Sequence, residues 1–145
     1  SGYWRMPEKT AQEFRSDGYF ITGDMGRIDA DGYVSIVGRS KDLIITGGFN
    51  VYPAEVEALL DELPGVAESA VIGVPHPDFG EAVVAVLAPR NGASLDQDTV
   101  QASLGDTLAK FKQPKRVHVL EALPRNTMGK IQKNVLRDRF SGDFS

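Results

Sequence analysis

The sequence contains no cysteine, only one tryptophan and two histidines, and no long apolar run. Without cysteine there is no disulfide framework and no thiolate metal ligand, and two histidines are too few to favour a metal site. A chain free of cysteine fits a reducing compartment, so we expect a cytoplasmic protein. No segment approaches the roughly 20 apolar residues that span a bilayer, so no membrane partner is expected.

The charge is acidic overall but uneven along the chain. The 145 residues carry a net charge of -4 and 41% hydrophobic content. This size fits one globular domain with a small appendage, and the net charge argues against nucleic acid as a partner. Residues 110–139 hold nine Lys or Arg and two acids. This basic stretch has two interpretations, a solvated face or a patch that receives phosphates.

The first 40 residues are expected to form short strands and turns. The turn cluster 29–32 separates two apolar β-rich runs, which predicts a hairpin. Such a piece is too small to hold a core alone. We therefore interpret 1–40 as the last strands of a larger N-terminal domain, and the opening Ser1-Gly2-Tyr3 as a cut inside a longer protein. That missing domain is the expected partner.

Residues 41–145 are expected to form a compact α+β domain, with a small central antiparallel sheet flanked by about three helices. Pro53 suits the first turn of a helix, and Ser94 with Gln97 resembles a capping box ahead of a second one. A third helix is predicted at 131–140. Apolar, β-branched runs predict the strands, at 43–46, 66–74, 82–88 and 116–120.

Residues 124–130, PRNTMGK, form the most informative segment. Proline and glycine punctuate it, which predicts a shaped loop that presents Lys130. A lysine ammonium is a compact charge that suits phosphate or carboxylate oxygens. A Gly-Lys pair alone would indicate only a solvated loop lysine.

Two further segments, 18–24 (GYFITGD) and 38–57 (GRSKDLIITGGFNVYPAEVE), occur in the order that one enzyme family uses. Together the three resemble the carboxy-terminal signatures of the adenylate-forming superfamily, and the resemblance covers nearly the whole chain. It implies an acyl-CoA synthetase, which makes an acyl-adenylate from a carboxylic acid and ATP with Mg²⁺ and then transfers the acyl group to CoA. Residues 3–14 and 111–133 look most like malonyl-CoA or methylmalonyl-CoA synthetases.

The resemblance implies a nucleotide site in the first part of the chain. Asp24 matches the aspartate that grips the ribose, Thr22 and Gly23 match residues that shape its site, and Arg39 matches a second ribose contact. Outside this context, an Asp after a Gly is more often a turn former. Lys41 matches the hinge about which the C-terminal lid rotates.

The resemblance also assigns roles in the second part. Gly47 and Gly48 match the loop that lines the CoA tunnel, with Asn50 near its mouth; alone, a Gly-Gly pair would be a plain turn. Lys130 matches the lysine of the adenylation step. It also matches the lysine that acetyltransferases modify in bacterial acyl-CoA synthetases, so an acetyltransferase and a deacetylase are candidate partners.

Other functions remain open on the sequence alone. An aryl or amino-acid adenylation domain that feeds a carrier protein is the alternative, although only about fifteen residues follow Lys130. The chain could also act as a binding module rather than an enzyme. The acyl pocket and the Gly/Ser/Thr-rich phosphate loop of the family are not in the chain, so we expect it to be inert alone and to hold no cofactor tightly.

Overall fold

The computed structural model describes residues 2–105 and 107–145. The chain divides into two compact units, Ser1–Lys41 and Asp42–Ser145. A short 3-10 turn over Ser40–Asp42 spans the boundary.

The first unit contains one helix and the predicted hairpin. Helix α1 (Pro7–Glu13) begins with proline in its first turn, where the missing N–H is tolerated. Strands β1 (Asp24–Ile28) and β2 (Val34–Arg39) pair antiparallel, with a bulge after Met25, so the hairpin is confirmed. The expectation that the first 40 residues form only short strands and turns was wrong, because residues Pro7–Glu13 form a helix. That helix has no buried residue, so it left no apolar period in the sequence.

The second unit is built on a five-stranded sheet. Strands β3 (Ile44–Thr46), β4 (Phe49–Val51), β5 (Val66–His76) and β6 (Gly80–Pro89) pair antiparallel in the order β4-β3-β6-β5. Strand β7 (Arg116–Val119) pairs with β6 and is parallel to it. The α+β fold is confirmed, and β7 is the exception to the antiparallel arrangement that the sequence suggested.

In the described part of the second unit, three helices accompany this sheet, as predicted: α2 (Pro53–Asp61), α3 (Gln97–Leu104) and α4 (Lys133–Phe140). The start of α3 differs from the expected capping box, because Asp96 is its N-cap and accepts hydrogen bonds from Thr99 N (3.0 Å) and Thr99 Oγ1 (2.7 Å). These bonds lower the pKa of the Asp96 carboxyl. Within the described ranges, no helix is long and apolar enough to cross a membrane.

The long β5–β6 ribbon is buried on both faces. Its alternate residues enter two separate hydrophobic clusters, since side chains along a strand point to opposite faces. Val56 and Leu60 of α2 belong to the first cluster, and Leu136 of α4 belongs to the second. Helices therefore cover the ribbon on both sides, which explains why its two strands are near-continuous apolar runs. The loops that carry the predicted site residues project from this rigid centre.

Candidate functional site

Lys130 lies in a tight turn whose ends are paired. Arg125 and Ile131 form an antiparallel bridge. Asn126 N donates to Lys130 O (2.9 Å), and Gly129 N donates to Asn126 O (2.9 Å). Gly129 has φ of +78°, a conformation that a residue with a Cβ adopts at a cost. The turn therefore presents Lys130 on the surface from a closed backbone ring.

Side chains brace the same turn. The Asn126 Oδ1 accepts hydrogen bonds from two backbone N–H groups, including that of Lys130 (2.9 Å). The guanidinium of Arg125 donates to the Gly129 carbonyl and forms an ion pair with Glu68 of β5. The turn is thus cross-linked both internally and to the central ribbon.

The ammonium of Lys130 differs from those of two neighbouring lysines. Lys112 pairs with Glu55 (2.5 Å) and Lys133 pairs with Glu57 (2.6 Å). Among residues 2–105 and 107–145, no carboxylate lies within ion-pair distance of Lys130. Its exposed charge is therefore available to an anionic ligand.

The predicted ribose residues come together at one end of the β1–β2 hairpin. Asp24 faces Arg39 across the strands, and Arg39 Nε lies 2.9 Å from Asp24 Oδ1. Arg39 Nη1 also donates to Thr22 O (2.8 Å), while Thr22 Oγ1 accepts from Asp24 N (3.0 Å). Gly23 has φ of +72°, and its carbonyl accepts from Ser40 N (2.9 Å). These contacts fix the carboxylate and the guanidinium side by side.

The pair borders a cleft of about 660 Å³ within the first unit. Its other lining residues are Tyr3, Lys9, Glu13, Phe20, Thr22, Gly23, Ser40 and Lys41. A hydrogen bond from the Tyr3 hydroxyl to Glu13 raises the pKa of Tyr3. Sequence reasoning missed Tyr3, Lys9 and Glu13 as cleft residues, because no site motif covers positions 3–13 and α1, which carries Lys9 and Glu13, left no apolar period.

The chemistry of this pair suits a sugar diol. One Asp24 oxygen is held by Arg39, which leaves the second carboxylate oxygen to accept hydrogen bonds from hydroxyl groups. Arg39 provides further N–H donors beside it. A carboxylate and a guanidinium in fixed geometry can therefore bind vicinal hydroxyls.

Gly47 and Gly48 form the two-residue turn of the β3–β4 hairpin. Their φ values are +56° and +83°, and Thr46 pairs with Phe49 across the turn. Positive φ at both central positions is the turn type that matches the twist of a hairpin. Phe49 and Asn50 follow this turn in β4, where Asn50 pairs with Ile45.

This glycine turn carries no side chain, so backbone is exposed to a ligand at its tip. Phe49 beside it is 56% exposed and stacks on Phe111, with ring centroids 4.7 Å apart. Gly47 N donates to Phe79 O (2.9 Å), which ties the turn to the start of β6. The turn thus offers bare backbone next to an exposed aromatic surface.

The glycine turn and the lysine turn contact opposite ends of the β5–β6 ribbon. Thr46, next to Gly47, pairs with Gly80, and Gly80 pairs with His76 of β5. The lysine turn is tied instead to Glu68 of β5. Glu68 and His76 lie eight residues apart in β5, which at about 3.3 Å per residue is roughly 25 Å. The second unit therefore has two separate candidate sites.

Comparisons with known proteins agree with these motifs. Residues 55–130 match the AMP-binding enzyme C-terminal domain. Feruloyl-CoA synthase of Amycolatopsis sp is 49% identical over 139 residues, which are 96% of this chain and 28% of that protein. The fatty acid–acyl-carrier-protein ligase ScoC of Streptomyces coeruleorubidus is 45% identical over 141 residues, which are 97% of this chain and 27% of that protein.

A crystal structure gives the same result. ATP-bound MatB from Rhodopseudomonas palustris matches all of this chain and 29% of its own, with 61% identity and a TM-score of 0.90. The chain thus spans little more than a quarter of the length of each of these three relatives. The chain belongs to the adenylate-forming acyl-CoA ligase superfamily and contains its AMP-binding enzyme C-terminal domain.

Proposed function

We propose that the chain is the mobile C-terminal lid of an ATP-dependent acyl-CoA ligase, preceded by the last strands of the large domain. The whole enzyme would join a carboxylic acid to AMP, releasing pyrophosphate. It would then transfer the acyl group from the adenylate to CoA, releasing AMP. The observation that carries this proposal is the braced, outward-facing Lys130 turn in a chain of this superfamily.

Lys130 would act in the first step. Its ammonium would contact both the substrate carboxylate and the nucleotide, and would stabilise the charge that develops as the carboxylate attacks the α-phosphate. Preorganised charge at such a position is a large contribution to catalysis. The closed turn supports this role, since it fixes the backbone from which the side chain extends.

Asp24 and Arg39 would hold the ribose of ATP and then of the acyl-adenylate, at a site shaped by Thr22 and Gly23. Their fixed pair with a spare carboxylate oxygen supports this assignment. ATP, accompanied by Mg²⁺, would be a substrate of the full-length enzyme rather than a group bound tightly to this chain. Residues 2–105 and 107–145 contain no cluster of three His, Asp or Glu side chains that could hold a metal.

The second step would use the other end of the ribbon. Gly47 and Gly48 would line the pantetheine path, because a turn without side chains lets a narrow ligand pass close to the backbone. Asn50, which follows this turn in β4, would lie near the mouth of that path. The strand positions to which the two turns are tied, His76 and Glu68, lie roughly 25 Å apart along β5, which supports alternating use of two sites by one rotating lid.

We propose malonate or methylmalonate as the acid. The support is the likeness of residues 3–14 and 111–133 to synthetases of those acids. Two of the relatives, feruloyl-CoA synthase and ScoC, are named for ferulate and for a fatty acid, although they are 49% and 45% identical to this chain. In this proposal, the acyl pocket belongs to the part of the enzyme outside this chain.

The missing N-terminal domain would be the first partner of the chain. Several large apolar side chains of the first unit are exposed, and covering them would be favourable for a partner domain. They include Trp4, Tyr19, Ile28, Tyr33 and Ile36, which are 69–82% exposed. A cytoplasmic location, where ATP and CoA are available, is part of the same proposal.

The isolated chain should fold but form no acyl-CoA. The two-sided core is complete within the second unit, whereas the acid pocket and phosphate loop are absent. Purified chain incubated with ATP, Mg²⁺, CoA and malonate or methylmalonate should release no pyrophosphate above a protein-free control. Turnover that co-purifies with the chain, and disappears with its Lys130→Ala variant, would contradict this prediction.

Lys130 should also be the preferred site of acetylation. It is exposed on a turn, whereas Lys112 and Lys133 are held in ion pairs. Acetylation would remove the charge, so it should inactivate the adenylation step of the parent enzyme. The chain is treated with a bacterial protein acetyltransferase and acetyl-CoA, and the modified lysines are mapped by mass spectrometry. Modification spread evenly over Lys110, Lys112, Lys115 and Lys133, or absent from Lys130, would reject a specific site.

A second candidate is an aryl or amino-acid adenylation domain that feeds a carrier protein. The relative ScoC, named a fatty acid–acyl-carrier-protein ligase, favours a carrier as the acceptor. Both candidates share the first step and differ in the thiol acceptor. Full-length parent enzyme, ATP and the acid are offered either free CoA or a phosphopantetheinylated carrier protein. Faster acyl transfer to free CoA supports the proposed ligase, and faster transfer to the carrier supports the alternative.

A further inference from the structure

We propose that Arg125 and Glu68 are positioning residues that hold Lys130 in its catalytic orientation. This inference rests on the proposed role of Lys130 in adenylation. It adds two residues that would not touch substrate and would act only through the lysine turn.

The peptide that joins Gly129 to Lys130 is held at both of its polar groups. Its carbonyl oxygen, on Gly129, accepts a hydrogen bond from Arg125 Nη1. Its N–H, on Lys130, donates to Asn126 Oδ1 at 2.9 Å. Because a peptide unit is planar, these two bonds fix its rotation. The next peptide is held through the Lys130 carbonyl, which accepts a hydrogen bond from Asn126 N (2.9 Å). The two held peptides together set the direction of the Lys130 Cα–Cβ bond.

Arg125 connects this peptide to the sheet. While Nη1 contacts Gly129, Nη2 forms the ion pair with Glu68 of β5. A planar guanidinium can serve two partners at once through its rigid fork of donors, whereas a lysine is a single point charge. Glu68 therefore orients Arg125, and Arg125 orients the peptide that carries Lys130.

Stability alone does not account for this arrangement. The side chains of Arg125 and Glu68 are 46% and 26% exposed, and ion pairs near the surface contribute little to folding. The flanking residues Leu123 and Ile131 already anchor the loop in the second hydrophobic cluster. Removing the pair should therefore leave the fold intact while loosening the turn.

The expected effect is a selective loss in the first half-reaction. In the full-length parent enzyme, Arg125→Ala should lower kcat for acyl-adenylate formation by about 10- to 100-fold, the range that misplacement of a catalytic group produces. The KM values for ATP and acid, the thermal midpoint and the thioester step from preformed acyl-adenylate should change little. Glu68→Gln should act in the same direction, and Arg125→Lys should be intermediate.

A double-mutant comparison tests whether Arg125 acts through Lys130. In a Lys130→Ala background, adding Arg125→Ala should cause no further loss, because the group that it positions is gone. An additional loss of 10-fold or more there would overturn the proposal, as would full adenylation activity in both Arg125→Ala and Glu68→Gln. If Arg125→Ala fails to fold, the isosteric Glu68→Gln variant tests the proposal alone: selective loss of adenylation supports it, and full adenylation activity overturns it.

Arg90→Ala is the matched control. Arg90 Nε donates to Val66 O (2.9 Å), near Glu68 on β5, but has no contact with the lysine turn among those described. It should leave the ratio of the two half-reaction rates unchanged.

The single variant Lys130→Ala distinguishes failure of the proposed function from failure of the positioning role. If Lys130→Ala keeps full adenylation activity, the proposed function fails. If it loses adenylation while Arg125→Ala and Glu68→Gln do not, only the positioning role fails.

Discussion

Replacing Lys130 with alanine in the full-length parent enzyme should lower the rate of acyl-adenylate formation by about 10²- to 10³-fold, the loss expected for one preorganised electrostatic contact. The substitution removes an exposed ammonium and leaves the backbone bonds of its turn in place. Formation of acyl-CoA from preformed acyl-adenylate should remain close to normal, since that step is assigned to the glycine turn at the other end of the ribbon.

Pyrophosphate release measures the first step, and acyl-CoA formed from synthetic acyl-adenylate measures the second. Lys110→Ala is the matched control, because it removes an exposed lysine outside both proposed sites. Equal losses in both steps for Lys130→Ala would point to misfolding or to a role outside adenylation.

Replacing Lys41 with proline should produce the opposite selectivity, blocking acyl transfer to CoA while sparing adenylation. The residues on either side of Lys41 are each held within their own unit. Ser40 N donates to Gly23 O (2.9 Å), and Asp42 forms an ion pair with Arg137 of α4. A change of orientation between the two units would therefore have to occur at Lys41, where hinge motion requires free φ and ψ.

Proline fixes φ near -65° and also restricts the residue before it, so it should lock the hinge. Lys41→Ala, which removes the side chain but leaves the backbone free, is the control and should support the acyl-transfer step at a rate well above that of Lys41→Pro. The two half-reaction assays are applied to both variants. Normal CoA transfer by Lys41→Pro would show that Lys41 is not the pivot.

The elements with strong local signals were predictable from the sequence. The apolar runs of β5 and β6, the proline at the start of α2 and the turn cluster before β2 each appear where they were expected. These signals are local, because an apolar run and a turn cluster are each formed by residues adjacent in the sequence. Helix α1 was missed because it buries nothing, and the parallel direction of β7 was missed because strand pairing is set by the whole sheet.

The candidate site was predictable only in part, because some of its contacts join residues far apart in the sequence. Motifs indicated Asp24, Arg39 and Lys130, and the resemblance gave them roles. The link between Arg125 and Glu68 joins residues 57 positions apart and has no sequence signature. Likewise, the places where the two turns meet the β5–β6 ribbon are set by long-range contacts, Thr46 with Gly80 and Arg125 with Glu68, which the sequence pattern alone does not predict.

The central claim is that one lid serves two half-reactions with different residues. It is tested most directly by measuring the ratio of adenylation rate to thioester-forming rate in the parent enzyme and in its Lys130→Ala and Lys41→Pro variants, with the same preparations in both assays. The ratio should fall by at least about 10²-fold in Lys130→Ala and rise in Lys41→Pro. Parallel losses of both rates, with the ratio unchanged in the two variants, would contradict the claim.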